Sequence, residues 1–441
     1  MTASLTTFFG LLGALLVLAF VANRLSKWTR VPDVIVLLIT GIALGPVLHW
    51  VDASKFNEAT RGFGTLALIL ILFAAGLELD LRNALKQFGA GTFLALLSYS
   101  LSLVGVACFC TYALHLALVP SLLVGATLAC ISGSVILPVL EQLEMRESVK
   151  TTLVIEASLG DGIGALGVGV LIDLASGGGE IKSGVLPDLL ARAGLAPGSH
   201  GSMAGAVTLI LLFKFLLALA VAILAGYLWL RLLPLVSDKQ FWQVLTFAAV
   251  LLLYAFTHAI GGSALFGVMA FGAALANLPD PRNSADSFVF RILPPDPSRA
   301  IHSFHAELAF LVRSFFFVLL GVLVDFSGLR REILASLGIT AVLLAVRFFA
   351  VQMSRIVWRG TTPREREVAT LLIPRGLITA VLALDAVRTM HTELAFLTPL
   401  VFAVILLTNC LVLLAAIRAK DLVLEVPPAP AVAESSGTTP A

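Results

Sequence analysis

Long apolar runs, separated by short polar stretches, recur along nearly the whole chain. Many of these runs approach the roughly 20 residues that an α-helix needs to cross a bilayer. Hydropathy predicts about thirteen spans, so we expect an all-α polytopic membrane protein. The predicted spans are 4–23, 32–51, 63–80, 90–115, 120–140, 151–175, 205–232, 240–259, 263–278, 304–325, 333–354, 367–387 and 394–417.

The composition agrees with this pattern of spans. The 441 residues are 59% hydrophobic and only 13% charged, with a mean hydropathy of +1.00, whereas soluble proteins carry about 25% charged residues. The formal net charge is +2, and no basic patch in the sequence indicates nucleic acid binding. The first apolar run is too long for a signal peptide and is interpreted as the first span.

Polar segments interrupt and end the transmembrane region. Residues 176–203 form a long Gly-rich connection, and residues 279–303 form a second one that contains five prolines. Residues 424–441 are rich in Pro, Ala, Ser and Thr, which predicts a disordered cytoplasmic tail after a transmembrane domain over residues 1–423. The sequence contains no Gly-rich nucleotide-binding unit, so we expect no nucleotide-binding regulatory domain in this chain.

The four cysteines lie in apolar runs and fit no metal site. Their spacing matches no known zinc motif. We therefore expect four small, buried hydrophobic side chains. They are Cys108, Cys110, Cys130 and Cys410.

Lys and Arg residues are concentrated in the loops on one side of the predicted spans. Because basic loops stay in the cytoplasm, we expect an outside N-terminus and a cytoplasmic C-terminus. As a separate expectation, the membrane is the inner membrane of a bacterium. At 1.5 Å per residue, Asp161 then lies about 15 Å into the sixth span, at the bilayer midplane. Glu156 lies nearer the cytoplasmic face, at about 8 Å from it.

Helix breakers lie at a similar depth in two other spans. The fifth span contains CISGSVILP, in which residues 132–134 cross the midplane, and the twelfth contains LLIPRGLITAV, in which Pro374 and Gly376 flank Arg375. Broken helices in corresponding halves are typical of transporters, because freed carbonyls and half-helix ends can coordinate a cation. Spans four to six and eleven to thirteen form triplets of opposite orientation with broken middle helices that meet at the midplane, which predicts inverted repeats.

A charged aspartate at the bilayer centre costs about 2.5–3.5 kcal/mol, so Asp161 needs either compensation or a function. Ser158 lies one turn earlier on the same side of the helix. Ser132 and Ser134, with Gly133 between them, are the other candidate ligands. Because burial disfavours the charged carboxylate, one proton or one small monovalent cation can neutralise Asp161, and the two are expected to compete. The alternative is a structural Asp161 paired with a buried base.

Glu156 is five residues from Asp161, so the two side chains point in different directions and form no dyad. Arg347 in the eleventh span lies at the depth of Glu156, and we expect a mainly structural ion pair between them. Arg375 either neutralises carbonyl groups at the end of a half-helix, shapes the potential beside the cation, or is purely structural.

The other charged residues in or near the spans have simpler interpretations. Lys214 lies near mid-depth without an identifiable partner, and we expect it to be packed or snorkelling. Five further residues are expected at the membrane surfaces: Asp385, His258 and Arg313 near span ends, and Glu78 and Asp80 in cytoplasmic water.

These segments together resemble the monovalent cation/proton antiporters, which include sodium/proton exchangers and potassium/proton antiporters. GIALGP and LFAAGLELDLR are similar to early spans of that family, and RSFFFVLLGVLVDF is similar to its tenth. IEASLGDGIGALGV resembles the exchanger motif of Glu, four residues and Asp, and IPRGLITAVLAL resembles the arginine–glycine segment of the second broken helix.

The resemblance implies that Asp161 binds both the proton and the metal ion, Na⁺ or K⁺, and that Glu156 pairs with an arginine, here Arg347. It implies a homodimer in which each chain has a dimerisation domain and a mobile core domain that moves like an elevator. The core domain is expected mainly over residues 90–175 and 333–417.

The sequence departs from the family pattern at two places. Gly160 replaces the usual Asn or Asp before the binding aspartate. Ser132-Gly133-Ser134 replaces the frequent Thr-Asp-Pro, and this Ser-Gly-Ser segment is closer to the potassium-efflux branch. One carboxylate therefore remains. The resemblance then implies electroneutral exchange of one cation for one proton, without a cofactor, and leaves the choice between Na⁺ and K⁺ open.

Three other classes of protein are compatible with a polytopic chain. A sodium-coupled carrier of an organic solute would need a roomy midplane site, where the sequence shows no aromatic or basic cluster. An intramembrane enzyme would need paired acids or metal-binding histidines, and the histidines within predicted spans, such as His258, lie near span ends. A non-transporting sensor would need a soluble output domain. We therefore expect a secondary antiporter rather than an enzyme.

Overall fold

Apolar runs fold into α-helices throughout the part of the chain that the computed structural model describes. The described residues are 2–29, 33–50, 57–79, 81–143, 145–175, 203–233, 236, 241–277, 297–324, 326–358, 360–390, 394 and 396–419. The α-helices within them are α1 Thr2–Thr29, α2 Asp33–Ile42, α3 Asn57–Glu78, α4 Leu81–Ala113, α5 Leu118–Ala129, α6 Gly133–Gln142, α7 Glu147–Ala175, α8 Met203–Leu232, α9 Trp242–Ala259, α10 Ala264–Asn277, α11 Pro297–Val322, α12 Phe326–Met353, α13 Pro363–Leu371, α14 Leu377–Met390 and α15 Leu397–Ala419.

Eight helical segments in the described ranges are long and apolar enough to cross a membrane, and four further apolar segments are shorter. The expected polytopic helical membrane protein is thus confirmed, while the count of thirteen spans is not. The predicted tail over residues 424–441, nearly all of the first long connection and residues 279–296 of the second lie outside the described residues. Residues 297–303, predicted as part of the second connection, instead form the first turns of α11. The side chain of Glu78 and the whole of Asp80 lie outside them too.

The helices pack in two groups. In one group α2 and α3 lie against α11, α3 also lies against α10, and α8 and α9 pack on α10. In the other, α4 lies against α5, α7 and α12, and α15 packs on α12, α13 and α14. Contacts between the groups are sparser and involve mainly α7, α3 and α10. The predicted division into two domains stays a prediction.

Two breaks divide helical pairs in the second group. Residues 130–132 are extended between α5 and α6, and residues 372–376 are non-helical between α13 and α14. Pro374 has no amide hydrogen, so a continuous helix could not form its backbone bond at that position. These are the two broken helices that the breaker residues predict.

A salt bridge outside the spans joins the segment after α6 to the start of α13. Arg146 Nε donates to Glu365 Oε1 at 2.7 Å, and Glu365 also belongs to a capping box with Thr362. Burial raises the pKa of Glu365, but the hydrogen bonds from Arg146 and Thr362 outweigh that effect and hold the pKa below its usual range. The ends of the two broken helices are therefore connected on one face of the protein.

The cysteines only partly follow the sequence-based expectation. Cys110 and Cys130 are buried, as expected, but Cys108 and Cys410 are exposed. The expectation was wrong for these two because an apolar run does not distinguish the lipid-facing side of a helix from its packed side. Cys108 and Cys110, two residues apart, point to different faces of α4.

Glycines bring α2 and α11 into backbone contact. A Cβ added to Gly321 would contact the carbonyl of Leu38 and lie 2.8 Å from the Cα of Gly41. Such small residues let helices approach closely in a membrane, where packing rather than water drives association.

We expect Gly321→Ala to separate α2 from α11 and to lower the free energy of unfolding by about 1–3 kcal/mol through overpacking. Thermal unfolding of the purified protein in detergent measures the change. Gly89→Ala is the matched control, because a Cβ at Gly89 has no neighbour within 4 Å. Equal melting temperatures for the two variants would contradict this packing.

Candidate functional site

Asp161 lies on α7, opposite the N-terminus of α6, and is 1% exposed. Its Oδ2 accepts a hydrogen bond from the backbone N–H of Gly133 at 3.1 Å. Gly133 is the first residue of α6, so the positive end of this half-helix points at the carboxylate. A Cβ at Gly133 would lie only 3.2 Å from the same oxygen, which shows how closely the carboxylate approaches the backbone.

The second carboxylate oxygen has a different environment. Oδ1 of Asp161 is buried and has no hydrogen-bond partner among the described residues. The same holds for Oγ of Ser158, one helical turn earlier. Ser132 and Ser134 lie beside Gly133, and their hydroxyl groups are 3.1 Å apart and bond to each other. The predicted site residues of α6 and α7 are therefore brought to one place, with unused acceptor atoms on Asp161 and Ser158.

The two broken helices meet at their extended segments. Ser132 N–H donates to the carbonyl of Pro374 at 2.9 Å. A Cβ at Gly376 would lie 2.8 Å from the Cβ of Ser132, so only a glycine allows this approach. Backbone groups that each break leaves unpaired are thus partly satisfied by the other break, as a membrane interior requires.

Two residues of α15 that the sequence analysis does not single out hold the second break. Arg375 N–H donates to Oγ1 of Thr408 at 3.2 Å, and Nδ2 of Asn409 donates to the carbonyl of Arg375 at 2.9 Å. The third helix of each triplet thus sends a polar side chain to the break in its middle helix, Asp161 in one and Thr408 with Asn409 in the other. The available signal was a Thr-Asn pair inside the apolar run VFAVILLTNCLVLL.

Arg375 is 1% exposed, and its Nε and Nη1 have no hydrogen-bond partner within the described ranges. Those two nitrogens therefore do not bind carbonyls at the end of a half-helix. The guanidinium charge interacts with Asp161 and Glu156. Which of the three roles considered from the sequence Arg375 has stays a prediction.

Glu156 and Arg347 form a buried bidentate ion pair. Nη2 of Arg347 donates to Oε2 of Glu156 at 2.8 Å, and Nη1 contacts Oε1. The same guanidinium donates to Oγ of Ser98 and to the carbonyl of Ala369, both at 3.1 Å. Ala369 lies in the last turn of α13, so Arg347 takes the carbonyl-compensating role considered for Arg375.

The position of Arg313 in the sequence suggested a place at a membrane surface, but the structure does not support this expectation. Arg313 is 8% exposed in the middle of α11, and its Nη2 donates to Oδ2 of Asp33 at 2.8 Å. Its Nη1 donates to the carbonyl of Ser134 at 2.6 Å. The expectation failed because the countercharge, Asp33, comes from α2 and cannot be identified from the tenth span alone.

A cavity of about 440 Å³ opens on the side of the membrane where α7 ends. Lys214, His258, Asp385 and Arg388 line it, and Asp385 and Arg388 are 3.6 Å apart. Ala165, one turn beyond Asp161, lines its inner part. Lys214 therefore borders a cavity, and its packed or snorkelling role stays a prediction. Within the described ranges, no three His, Cys, Asp or Glu side chains cluster as in a metal centre.

Unwound helices that meet beside a buried carboxylate define a class, the membrane transporters built from broken helices. The chain belongs to the transmembrane sodium/hydrogen exchanger family, which matches residues 12–417. The resemblance that the motifs indicate is thereby confirmed, and the chain is placed among transporters rather than enzymes.

Relatives and solved structures agree with this family. The Na(+)/H(+) antiporter ApNhaP of Aphanothece halophytica is 25% identical over 307 residues, which are 69% of this chain and 52% of that protein. The K(+)/H(+) antiporter NhaP of Alkalimonas amylolytica is 24% identical over 378 residues, 85% of this chain and 59% of that protein. The chain thus spans little more than half the length of these two relatives.

The fold is similar to that of the sodium proton antiporter MjNhaP1 from Methanocaldococcus jannaschii at pH 8. The TM-score is 0.74 at 20% sequence identity, and the match covers 93% of this chain and 99% of that chain. At this identity the likeness shows the fold.

Arg347→Gln leaves Glu156 as a buried carboxylate without its countercharge, and we expect it to lower the free energy of unfolding by about 3–5 kcal/mol. The double variant Glu156→Gln/Arg347→Gln should recover part of this loss. Arg388→Gln breaks a longer, partly exposed pair and is the control, with an expected change below about 1 kcal/mol. Denaturation midpoints of the purified variants test this, and equal losses for Arg347→Gln and Arg388→Gln would contradict it.

Proposed function

We propose that the protein is a secondary antiporter that exchanges a monovalent cation, Na⁺ or K⁺, for a proton by competition at Asp161. The observation that carries this proposal is the buried Oδ1 of Asp161 without a hydrogen-bond partner in the described part of the chain. An uncompensated buried charge is expensive, so this oxygen holds either a proton or a cation.

The ligands that we assign to the cation are oxygen atoms of α6, α7 and the first break. Asp161 Oδ1 and Ser158 Oγ have unused acceptor capacity, and the hydroxyls of Ser132 and Ser134 lie on the adjoining segment. Freed backbone and side-chain oxygens at broken helices suit alkali cations. The ion itself is the substrate, and no further cofactor is part of the proposal.

The charges around Asp161 support electroneutral exchange as part of the proposal. Glu156, the other buried carboxylate that the structure describes on α7, is neutralised by Arg347. Gly160 contributes no second acid, although a Cβ there would have no neighbour within 4 Å. One carboxylate is then left to bind, so we infer one proton per monovalent cation.

The two groups of helices support alternating access. Asp161 and both breaks belong to the group that corresponds to the proposed core domain, mainly residues 90–175 and 333–417. One cavity reaches Ala165 from the side where α7 ends, and another of about 160 Å³ reaches Ser134 from the side where α7 begins. We infer elevator-type movement of the core domain against the other group.

The remaining parts of the proposal concern the setting of the protein. We place it as a homodimer in the inner membrane of a bacterium, with the N-terminus outside and the C-terminus in the cytoplasm. The concentration of Lys and Arg in loops on one side supports this orientation.

A sodium-coupled carrier of an organic solute is the second candidate, and one observation favours it. The cavity of about 440 Å³ has the size of a small-molecule site. This cavity lies on one side of the point where the two broken helices meet, however, and Asp161 is not among its lining residues. Membership of the exchanger family favours ion exchange.

Asp161→Asn should abolish exchange, because a neutral amide cannot trade a proton for a cation. The assay uses purified protein in liposomes with an internal pH dye, an imposed proton gradient, and external Na⁺, K⁺ or choline. Asp385→Asn, which changes a cavity carboxylate away from the breaks, should retain exchange. Wild-type rates in Asp161→Asn would overturn the proposal, and a requirement for an organic solute would favour the carrier.

The same liposomes test the stoichiometry. With one positive charge moving each way, the initial rate should not change when valinomycin and a K⁺ gradient impose a membrane potential of either sign. The informative experiment uses Na⁺ as the exchanged cation, because the K⁺ gradient is already needed to set the membrane potential. A rate that follows the potential would show unequal charge transfer and would contradict the 1:1 inference.

A further inference from the structure

Pro138 leaves a carbonyl group of α6 without its normal partner. Within a helix, the carbonyl of Ser134 accepts the N–H of the residue four positions later, which is Pro138. Proline has no N–H, so α6 cannot supply this bond. The carbonyl lies in the first turn of α6, the turn whose Gly133 N–H holds Asp161.

Arg313 supplies the missing donor from another helix. Its Nη1 donates to the carbonyl of Ser134 at 2.6 Å, and its Nη2 donates to Oδ2 of Asp33 at 2.8 Å. Asp33 is itself oriented at the start of α2, where its Oδ1 accepts the N–H of Val34 at 2.9 Å. The guanidinium is therefore aimed at Ser134 by a buried carboxylate, and the pair adds no net charge near Asp161.

Packing alone does not hold this turn of α6 on the side of Arg313. Ser134, Pro138, Phe310 and Arg313 all line the cavity of about 160 Å³, so the turn borders open space there. The main packing partner of α6 is α7, while α11 belongs to the other group of helices. The bond from Arg313 is thus a directional link across that cavity.

We propose that, in the position of the core domain that the structure shows, Arg313, oriented by Asp33, is a positioning residue that binds the Ser134 carbonyl freed by Pro138 and so holds the first turn of α6 against Asp161. This inference rests on the proposed exchange at Asp161. A displaced turn would move the Gly133 N–H and the two serine hydroxyls relative to the carboxylate. The apparent affinity for the cation should then fall by a larger factor than the maximal rate of exchange.

The test uses a variant that removes both charges, so that no buried ion is left unpaired. Asp33→Asn/Arg313→Met should raise the apparent KM for the cation about tenfold, as expected for loss of a bond from a charged donor. The maximal rate per folded protein should stay within about twofold. An unchanged KM would overturn the proposal.

Adding Pro138→Ala to that variant restores an N–H four residues after Ser134, and it should bring KM back to within about twofold of the wild type. A purely structural Asp33–Arg313 pair would gain nothing from this substitution. Failure to recover, in a variant with a normal melting temperature, would contradict the inference. Pro138→Ala alone is the control and should leave KM unchanged.

A second readout does not depend on transport. Amide hydrogen exchange in peptides covering residues 133–137 should accelerate in Asp33→Asn/Arg313→Met and slow again when Pro138→Ala is added. This pattern would support the positioning role even if the wild type showed no exchange dependent on Asp161, which would instead refute the proposed function. Unchanged hydrogen exchange in these peptides would overturn the positioning role.

Discussion

Hydrocarbon offers no water to a backbone group that loses its helical partner, so each break in a membrane helix needs protein donors and acceptors. Here the two breaks satisfy one another directly, through the bond from Ser132 N–H to the carbonyl of Pro374. Side chains from four other helices complete the arrangement. They are Asp161 on Gly133, Thr408 and Asn409 on Arg375, Arg347 on Ala369, and Arg313 on Ser134. These side chains thus serve the broken backbone, and Asp161 differs because it is the carboxylate among them, with one oxygen that has no hydrogen-bond partner in the described part of the chain.

The same requirement arranges the charges. Arg347 binds both a freed backbone carbonyl and Glu156. The guanidinium that compensates the backbone therefore also neutralises the second carboxylate of α7. Arg313 is neutralised by Asp33 in a similar way. Arg375 is buried, and its Nε and Nη1 have no hydrogen-bond partner within the described ranges. In the proposed exchange, its positive charge would lower the cost of a deprotonated Asp161.

The sequence predicts those parts of the site that a single span reveals. Asp161 and both breaks could be identified because a carboxylate, a Ser-Gly-Ser and a Pro-Arg-Gly interrupt apolar runs at similar depth, and depth alone also matches Glu156 with Arg347. Contacts between distant helices could not be identified. Arg313 and Asp33 are 280 residues apart, on two helices, α11 and α2, that glycines bring into backbone contact. Thr408 and Asn409 look like ordinary polar residues until the break they hold is seen.

Competition at Asp161 is the central claim, and proton release on cation binding tests it most directly. Purified protein in weakly buffered detergent solution is titrated with Na⁺ or K⁺ while pH and heat are recorded together. The account predicts that each bound cation displaces one proton where Asp161 is protonated, and that Asp161→Asn releases none. Saturable cation binding without proton release, at every pH where the protein is folded, would contradict it.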